Sequence, residues 1–215
     1  MKSEGVTKFN LKFTKTQPID ENIIKDINSW RKILYDLGLI GRDPNKYDGA
    51  GYGNISKRIV PYKFTPNKRR FVVTGTQTGG LEELTPENYS TVLEYNAESN
   101  FIISEGPIQP SSESISHGTI YNRDSSARYV FHIHSQDIWR NSEKLEIPKT
   151  KDSAEYGTPE MAREILRLFK DKNLTHRKIL SMGGHEDGII AFGRTSDEAG
   201  LILIRNYVKA LELKI

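Results

Sequence analysis

Tyr129-Val130-Phe131-His132-Ile133-His134-Ser135 is the stretch on which the reading of this chain turns. β-Branched and aromatic residues follow one another without a break, and a polar run from Asn122 to Ser126 precedes them, so a strand is expected. In a strand, side chains two apart leave from one face, with Cα atoms roughly 7 Å apart. His132 and His134 therefore project together, and two imidazoles so placed can close on one metal ion. The same spacing also suits two polar residues on a solvated strand face. The rest of the chain decides between the two.

At 215 residues the chain is long enough for a substantial core. One compact domain is the default, over residues 18–215, preceded by a loose polar arm over 1–17 with one short strand at Lys8–Phe13. The absence of cysteine removes disulfides, thiolate ligands and cysteine nucleophiles together, so any metal must be held by histidine and carboxylate. The formal charge of +3 is small, and the densest basic cluster, Lys68-Arg69-Arg70, has no aromatic platform woven through it. It reads as a solvated turn, and no nucleic-acid partner is expected. A modest positive bias suits an anionic small molecule. Neither a signal peptide nor an apolar stretch of membrane-spanning length is legible, so a soluble, cytoplasmic protein with no membrane partner is expected.

From the N-terminal side, apolar residues recur at Ile23, Ile27, Trp30, Leu34 and Leu37, which makes one buried helical stripe beginning at Asp20 and closed by Gly38 and Gly41. Gly49 to Ser56 is glycine-rich and precedes a strand at Lys57–Val60. Its glycines allow backbone N–H groups to approach a ligand, although a plain hairpin turn fits too. Strand Phe71–Val73 runs into a second small-residue loop, Thr74 to Gly80. Thr85-Pro86-Glu87 reads as a helix start, with the helix continuing to about Glu94. A strand at Asn100–Ser104 leads to Pro110-Ser111-Ser112-Glu113 and a helix over Ile115–Tyr121, where the serines can serve simply as caps. Asp137–Glu146 is read as short and irregular. A helix opens at Thr158-Pro159-Glu160, strands at Ile179–Met182 and Gly188–Phe192 flank Gly183 to Asp187, and a last helix covers Ser196–Leu213.

Three features combine: His132 and His134 on one strand face, His185 in a glycine-flanked turn, and Glu113 at the mouth of a helix. Three neutral imidazoles that leave a coordination position open are the pattern of a catalytic metal site. A nearby carboxylate can move a proton while the metal polarises a carbonyl.

With these in place the chain resembles the class II aldolase/adducin family. The matching stretches are Gly53-Asn54-Ile55-Ser56, Thr74-Gly75, Leu84-Thr85-Pro86-Glu87, Pro110-Ser111-Ser112-Glu113, His117 with Ile120-Tyr121, His132-Ile133-His134-Ser135, Tyr156 to Ala162, and Gly184-His185. They fall in the family's order over roughly residues 28–210. The resemblance implies a three-layer α/β/α fold with a largely antiparallel central sheet, and a homotetramer with sites near subunit interfaces. It implies one divalent metal per subunit, zinc first and Mn2+, Fe2+, Co2+ or Ni2+ next, on His132, His134 and His185. It makes Glu113 the acid/base group. It gives the phosphate of a sugar phosphate to Gly53, Asn54, Thr74, Gly75, Ser111 and Ser112.

The activity implied is lyase chemistry: cleavage of a phosphorylated ketose through a metal-stabilised enediolate, to dihydroxyacetone phosphate and an aldehyde. Sugar-phosphate dehydration of the methylthioribulose-phosphate type, 4-epimerisation and a non-catalytic adducin-like scaffold are the alternatives. The chain departs from the family between Ser135 and Ile147, which is short and offers no second proton-transfer residue. His117 is expected to be a hydrogen-bonded structural histidine, His176 a surface residue, and Glu186 and Asp187 solvated turn carboxylates.

Overall fold

The computed structural model describes residues 7–171 and 174–214. Its strands are β1 (Asn10–Lys15), β2 (Gly41–Arg42), β3 (Gly51–Tyr52), β4 (Asn54–Arg58), β5 (Phe71–Thr74), β6 (Tyr89–Asn96), β7 (Phe101–Gly106), β8 (Tyr129–His134), β9 (Ile179–Ser181) and β10 (Gly188–Gly193). Its helices are α1 (Glu21–Asp36), α2 (Ser114–Arg123), α3 (Gln136–Arg140), α4 (Pro159–Asp171), α5 (Leu174–Arg177) and α6 (Ser196–Glu212). Eight strands form one sheet in the order β1-β7-β6-β5-β4-β8-β10-β9, and β2 pairs with β3 as a separate ribbon. Within the large sheet only β1 and β7 run parallel.

Alternation along β8 sorts the sheet's two faces. Phe131 and Ile133 pack with Ile24, Ile27 and Leu34 of α1 and with Leu203 of α6. Val130 packs on the opposite face with Ile115 and Ile120 of α2 and Ile165 and Leu168 of α4. Helices thus cover both faces, the α/β/α arrangement expected. Burying such side chains contributes roughly 1.5–3 kcal/mol each, which pins the register of β8, because a one-residue slip would exchange every side chain between faces. That register delivers His132 and His134 to the α2/α4 side.

Several local expectations are corrected. The helix expected over 85–94 is only a 3-10 turn at Pro86–Asn88, followed by β6. The turn is real, since the Thr85 N–H donates to Asn88 Oδ1 at 2.9 Å. Beyond it, Tyr89, Val92 and Tyr95 are buried between β5 and β7, and this tertiary pairing outweighs the helix-start signal. The irregular 137–146 segment begins with α3, whose N-cap Ser135 accepts from the Ile138 N–H at 3.3 Å. The strand expected at 57–60 starts three residues earlier and includes Asn54. Within the 1–17 arm, the expected strand lies at Asn10–Lys15, hydrogen-bonded into the sheet against β7; residues 1–6 lie outside the described chain. No described helix is long and apolar enough to cross a membrane.

Candidate active site

His132, His134 and His185 meet on the α2/α4 face, all buried. The Nε2 of His185 lies 3.2 Å from that of His134 and 3.2 Å from that of His132. Two nitrogens bound at about 2.05 Å to a tetrahedral ion stand about 3.3 Å apart, so these two spacings suit a shared divalent metal, and all three ligand atoms lie within 4.8 Å of one another. The ring of His132 is turned so that it could serve as one of the ligands. Its Nδ1 faces the Ile189 carbonyl at 3.2 Å, and a carbonyl can only accept, so Nδ1 carries the proton and the Nε2 lone pair points inward. Burial disfavours the charged imidazoles, pushing His132 down to about 4 and holding His134 and His185 well below the usual histidine range. All three are neutral at pH 7, as metal ligands must be.

Glu113 is the residue immediately before α2 and is 1% exposed. Its Oε1 lies 3.8 Å from His185 Nε2, and its Oε2 accepts from the Ser116 hydroxyl at 3.0 Å. Burial pushes its carboxyl up to about 7, against the opposing pull of that hydroxyl and of the positive charge on Lys8. A carboxyl that titrates near neutrality beside a metal site can both take and return a proton.

Next to this centre is a narrow cleft lined by Gly53, Asn54, Gly75, Ser111 and Ser112, together with Gly51 and the Thr76–Gly79 loop. Asn54 is directly opposite His132 in the β4–β8 pairing, so sheet register alone sets cleft and histidines side by side. The Asn54 side-chain oxygen is buried and has no hydrogen-bond partner among the described residues. A flip of the carboxamide would aim its NH2 at an anion instead. Gly53 sits at φ +76, and a Cβ there would meet Ile40 Cγ1 at 2.7 Å and the His132 carbonyl at 3.2 Å. Only glycine lets β3 turn into β4 this close to the histidine strand.

Of the six expected phosphate contacts, Thr74 stands apart from the cleft lining. Its hydroxyl accepts from the Ile55 N–H at 3.2 Å and its carbonyl from the Ser111 N–H at 3.2 Å, so it ties the cleft's walls together. The serines are not helix caps in the usual sense. The helix starts at Ser114, and Ser111 Oγ accepts from the Glu113 N–H at 3.4 Å, two residues on. His117 is the structural histidine expected, with its Nδ1 2.7 Å from Ser56 Oγ. His176 and Glu186 are exposed as expected.

Asp187 is not a solvated turn carboxylate. It is 3% exposed and accepts from the Tyr47 phenol at 2.6 Å. Burial, then this carboxylate, raises the phenol's pKa, so Tyr47 keeps its proton. Tyr47 and Tyr52 both pack on the His134 ring, at 4.6 and 5.3 Å between centroids. Tyr156 packs on His185 at 4.7 Å, and Lys8 reaches over the Tyr156 ring at 4.1 Å while pairing with Glu155 at 3.1 Å. Tyr156 opens one of the matching stretches, but its place against His185, like those of Tyr47, Tyr52 and Lys8, is visible only in the tertiary fold.

The fold has close counterparts among solved structures. An L-fuculose-1-phosphate aldolase from Thermus thermophilus superposes with a TM-score of 0.62 at 21% identity, over 90% of this chain and 93% of that one. A sugar-phosphate aldolase from Thermotoga maritima gives 0.60 at 15% identity, over 89% and 93%. The N-terminal class II aldolase domain of a Thermoplasma acidophilum protein gives 0.58 at 14% identity, over 93% and 97%. No curated protein matches by sequence. The family model described as the class II aldolase and adducin N-terminal domain matches residues 43–205, a span that holds all three histidines, Glu113 and the cleft, and the chain belongs to that family.

Proposed function

We propose that the protein is a metal-dependent lyase of aldolase type, which cleaves a phosphorylated ketose to dihydroxyacetone phosphate and an aldehyde. One observation carries this reading: three neutral imidazoles converge beside a carboxyl, Glu113, that lies 3.8 Å from His185 Nε2 and titrates near pH 7. Two of the structural counterparts are, by name, aldolases of sugar phosphates, and the proposal extends that substrate class to this chain.

His132, His134 and His185 would hold one divalent ion, zinc first among the candidates. When bound, such an ion supplies a Lewis acid for the ketone oxygen of the substrate. The remaining work falls to the chain. Gly53, Asn54, Gly75, Ser111 and Ser112 would anchor the phosphate in the cleft, with Thr74 holding its walls. In cleavage, the bond between the carbon next to the ketone and the hydroxyl-bearing carbon beyond it breaks. The hydroxyl on the departing carbon gives up its proton as it becomes the aldehyde, and the carbon left beside the ketone gains one. Glu113 would make both transfers, taking the first proton and returning it to carbon. Tyr47, Tyr52 and Tyr156 wall the histidines and keep bulk water from competing for that proton.

The test is product mass, measured after incubating zinc-loaded protein with a panel of ketose 1-phosphates. Two fragments support cleavage. Loss of water would replace it with a dehydratase, and an unchanged mass with altered stereochemistry with an epimerase. Glu113→Gln should lower turnover by a factor on the order of 10²–10⁴ while the bound metal persists. Undiminished turnover in that variant removes Glu113 from the mechanism.

A further inference from the structure

We propose that Tyr47 is a positioning residue of the histidine cluster, a strut between the two elements that carry its ligands; the proposal rests on the reading of that cluster as a metal centre. His132 and His134 come from β8, and His185 from the turn between β9 and β10. Nothing covalent fixes their distance.

Tyr47 touches both sides. Its ring stands edge-on to His134, 4.6 Å between centroids at 73°, and is backed by Tyr52 at 5.2 Å. Its phenol donates to Asp187 Oδ2 at 2.6 Å. Asp187 is two residues beyond His185, and its carbonyl accepts from the N–H of Ser135, the residue after His134, at 2.8 Å. The contacts close into a ring from His134 to Ser135, Asp187, Tyr47 and back to His134.

The backbone bears the mark of that arrangement. Tyr47, Asp48 and Asp187 occupy the left-handed region, at φ 51, 55 and 62. Non-glycine residues enter it at a cost, and such residues persist where surrounding contacts hold them. The turn does not depend on the phenol to form. Arg42 Nε donates to the Gly49 carbonyl at 2.6 Å, and the Ala50 N–H donates to the Tyr47 carbonyl at 3.0 Å. With these bonds also holding the turn, the phenol–carboxylate bond can act on the relation between His134 and His185.

Outer contacts of this kind orient metal ligands, and their loss weakens metal binding by roughly ten- to a hundredfold. The test is titration of the metal-free full chain with Co2+, read by the visible d–d absorption and by competition with a chelator. Wild type, Tyr47→Phe, Asp187→Ala and Asp187→Asn are compared, with thermal melting of the metal-free forms as a check on folding.

Tyr47→Phe keeps the ring and loses only the phenol. It should melt near wild type, bind Co2+ roughly ten- to a hundredfold more weakly and show a shifted band. Asp187→Ala removes the acceptor from the other side and should do the same, which keeps the test intact if Tyr47→Phe fails to fold. Asp187→Asn still offers an oxygen to the phenol and should recover most of the wild-type affinity. Wild-type affinity and band shape in either Tyr47→Phe or Asp187→Ala would overturn the proposal while leaving the metal centre standing. A wild type that binds no Co2+ would overturn both.

Discussion

One hydrogen bond turns the Nε2 of His132 toward the cluster, whereas His185 joins it by position alone. The Ile189 carbonyl fixes the tautomer of His132 at 3.2 Å, whereas His185 is the member whose Nε2 lies 3.2 Å from each of the other two. Removing His185 would leave only two imidazoles to hold an ion, so His185→Ala should purify with far less than one divalent ion per chain by elemental analysis. Full retention of metal in that variant would place the ion elsewhere. At this scale the sequence is informative where chemistry and spacing coincide. His132, His134, His185 and Glu113 are legible because few residue types bind metal or move protons, and here they lie within recurrent short motifs. Asp187 escapes a reading of the sequence because its partner Tyr47 is 140 residues away, and nothing adjacent in the chain announces it.

Among elements, β4 and β8 do the placing. Their antiparallel register sets Asn54 opposite His132, and Gly53 immediately before it has its would-be Cβ 3.2 Å from the His132 carbonyl. Gly53→Ala would add both a left-handed backbone penalty and a clash with Ile40, together on the order of 1–3 kcal/mol. The denaturant midpoint should fall accordingly with the m-value unchanged; an unaltered midpoint would mean that the turn relaxes without cost. β8 can be read from sequence because its unbroken apolar run and its flanking turn agree. The 85–94 segment cannot. Thr85-Pro86 announces a helix and delivers one 3-10 turn, after which pairing with β5 and β7 takes over, and a partner strand found elsewhere in the chain is invisible to a local pattern. The Ser135 cap of α3 is equally local, but five helical residues are too few to leave a periodic stripe.

For the molecule as a whole, burying so many ionisable groups in one core makes stability depend on pH. Four imidazoles, His117, His132, His134 and His185, are buried and neutral in the metal-free fold, with His132 pushed down to about 4 and the others held well below the ordinary histidine value of 6.5. The unfolded chain binds their protons as pH falls through 6.5 and the folded chain does not, so their contribution to stability is present above that value and is lost below it. Glu113 works in the opposite sense. Its folded value of about 7 lies above the ordinary 4.5, so the folded chain holds the extra proton and this group's contribution shrinks as pH rises between those values. Each net proton changes stability by about 1.4 kcal/mol per pH unit, and four histidines outweigh one carboxyl. The metal-free protein should therefore lose stability as pH drops below about 6.5, before ordinary carboxylates titrate. A metal bound to three of those imidazoles must be displaced before they protonate, so zinc should move the acid transition to lower pH. Far-UV circular dichroism from about pH 8 to about pH 4, with and without zinc, measures both. A metal-free transition confined to the carboxylate range would mean that water reaches these imidazoles in the folded state and lets them charge there. A transition unmoved by zinc would mean that the ion does not bind the imidazoles whose protonation unfolds the chain.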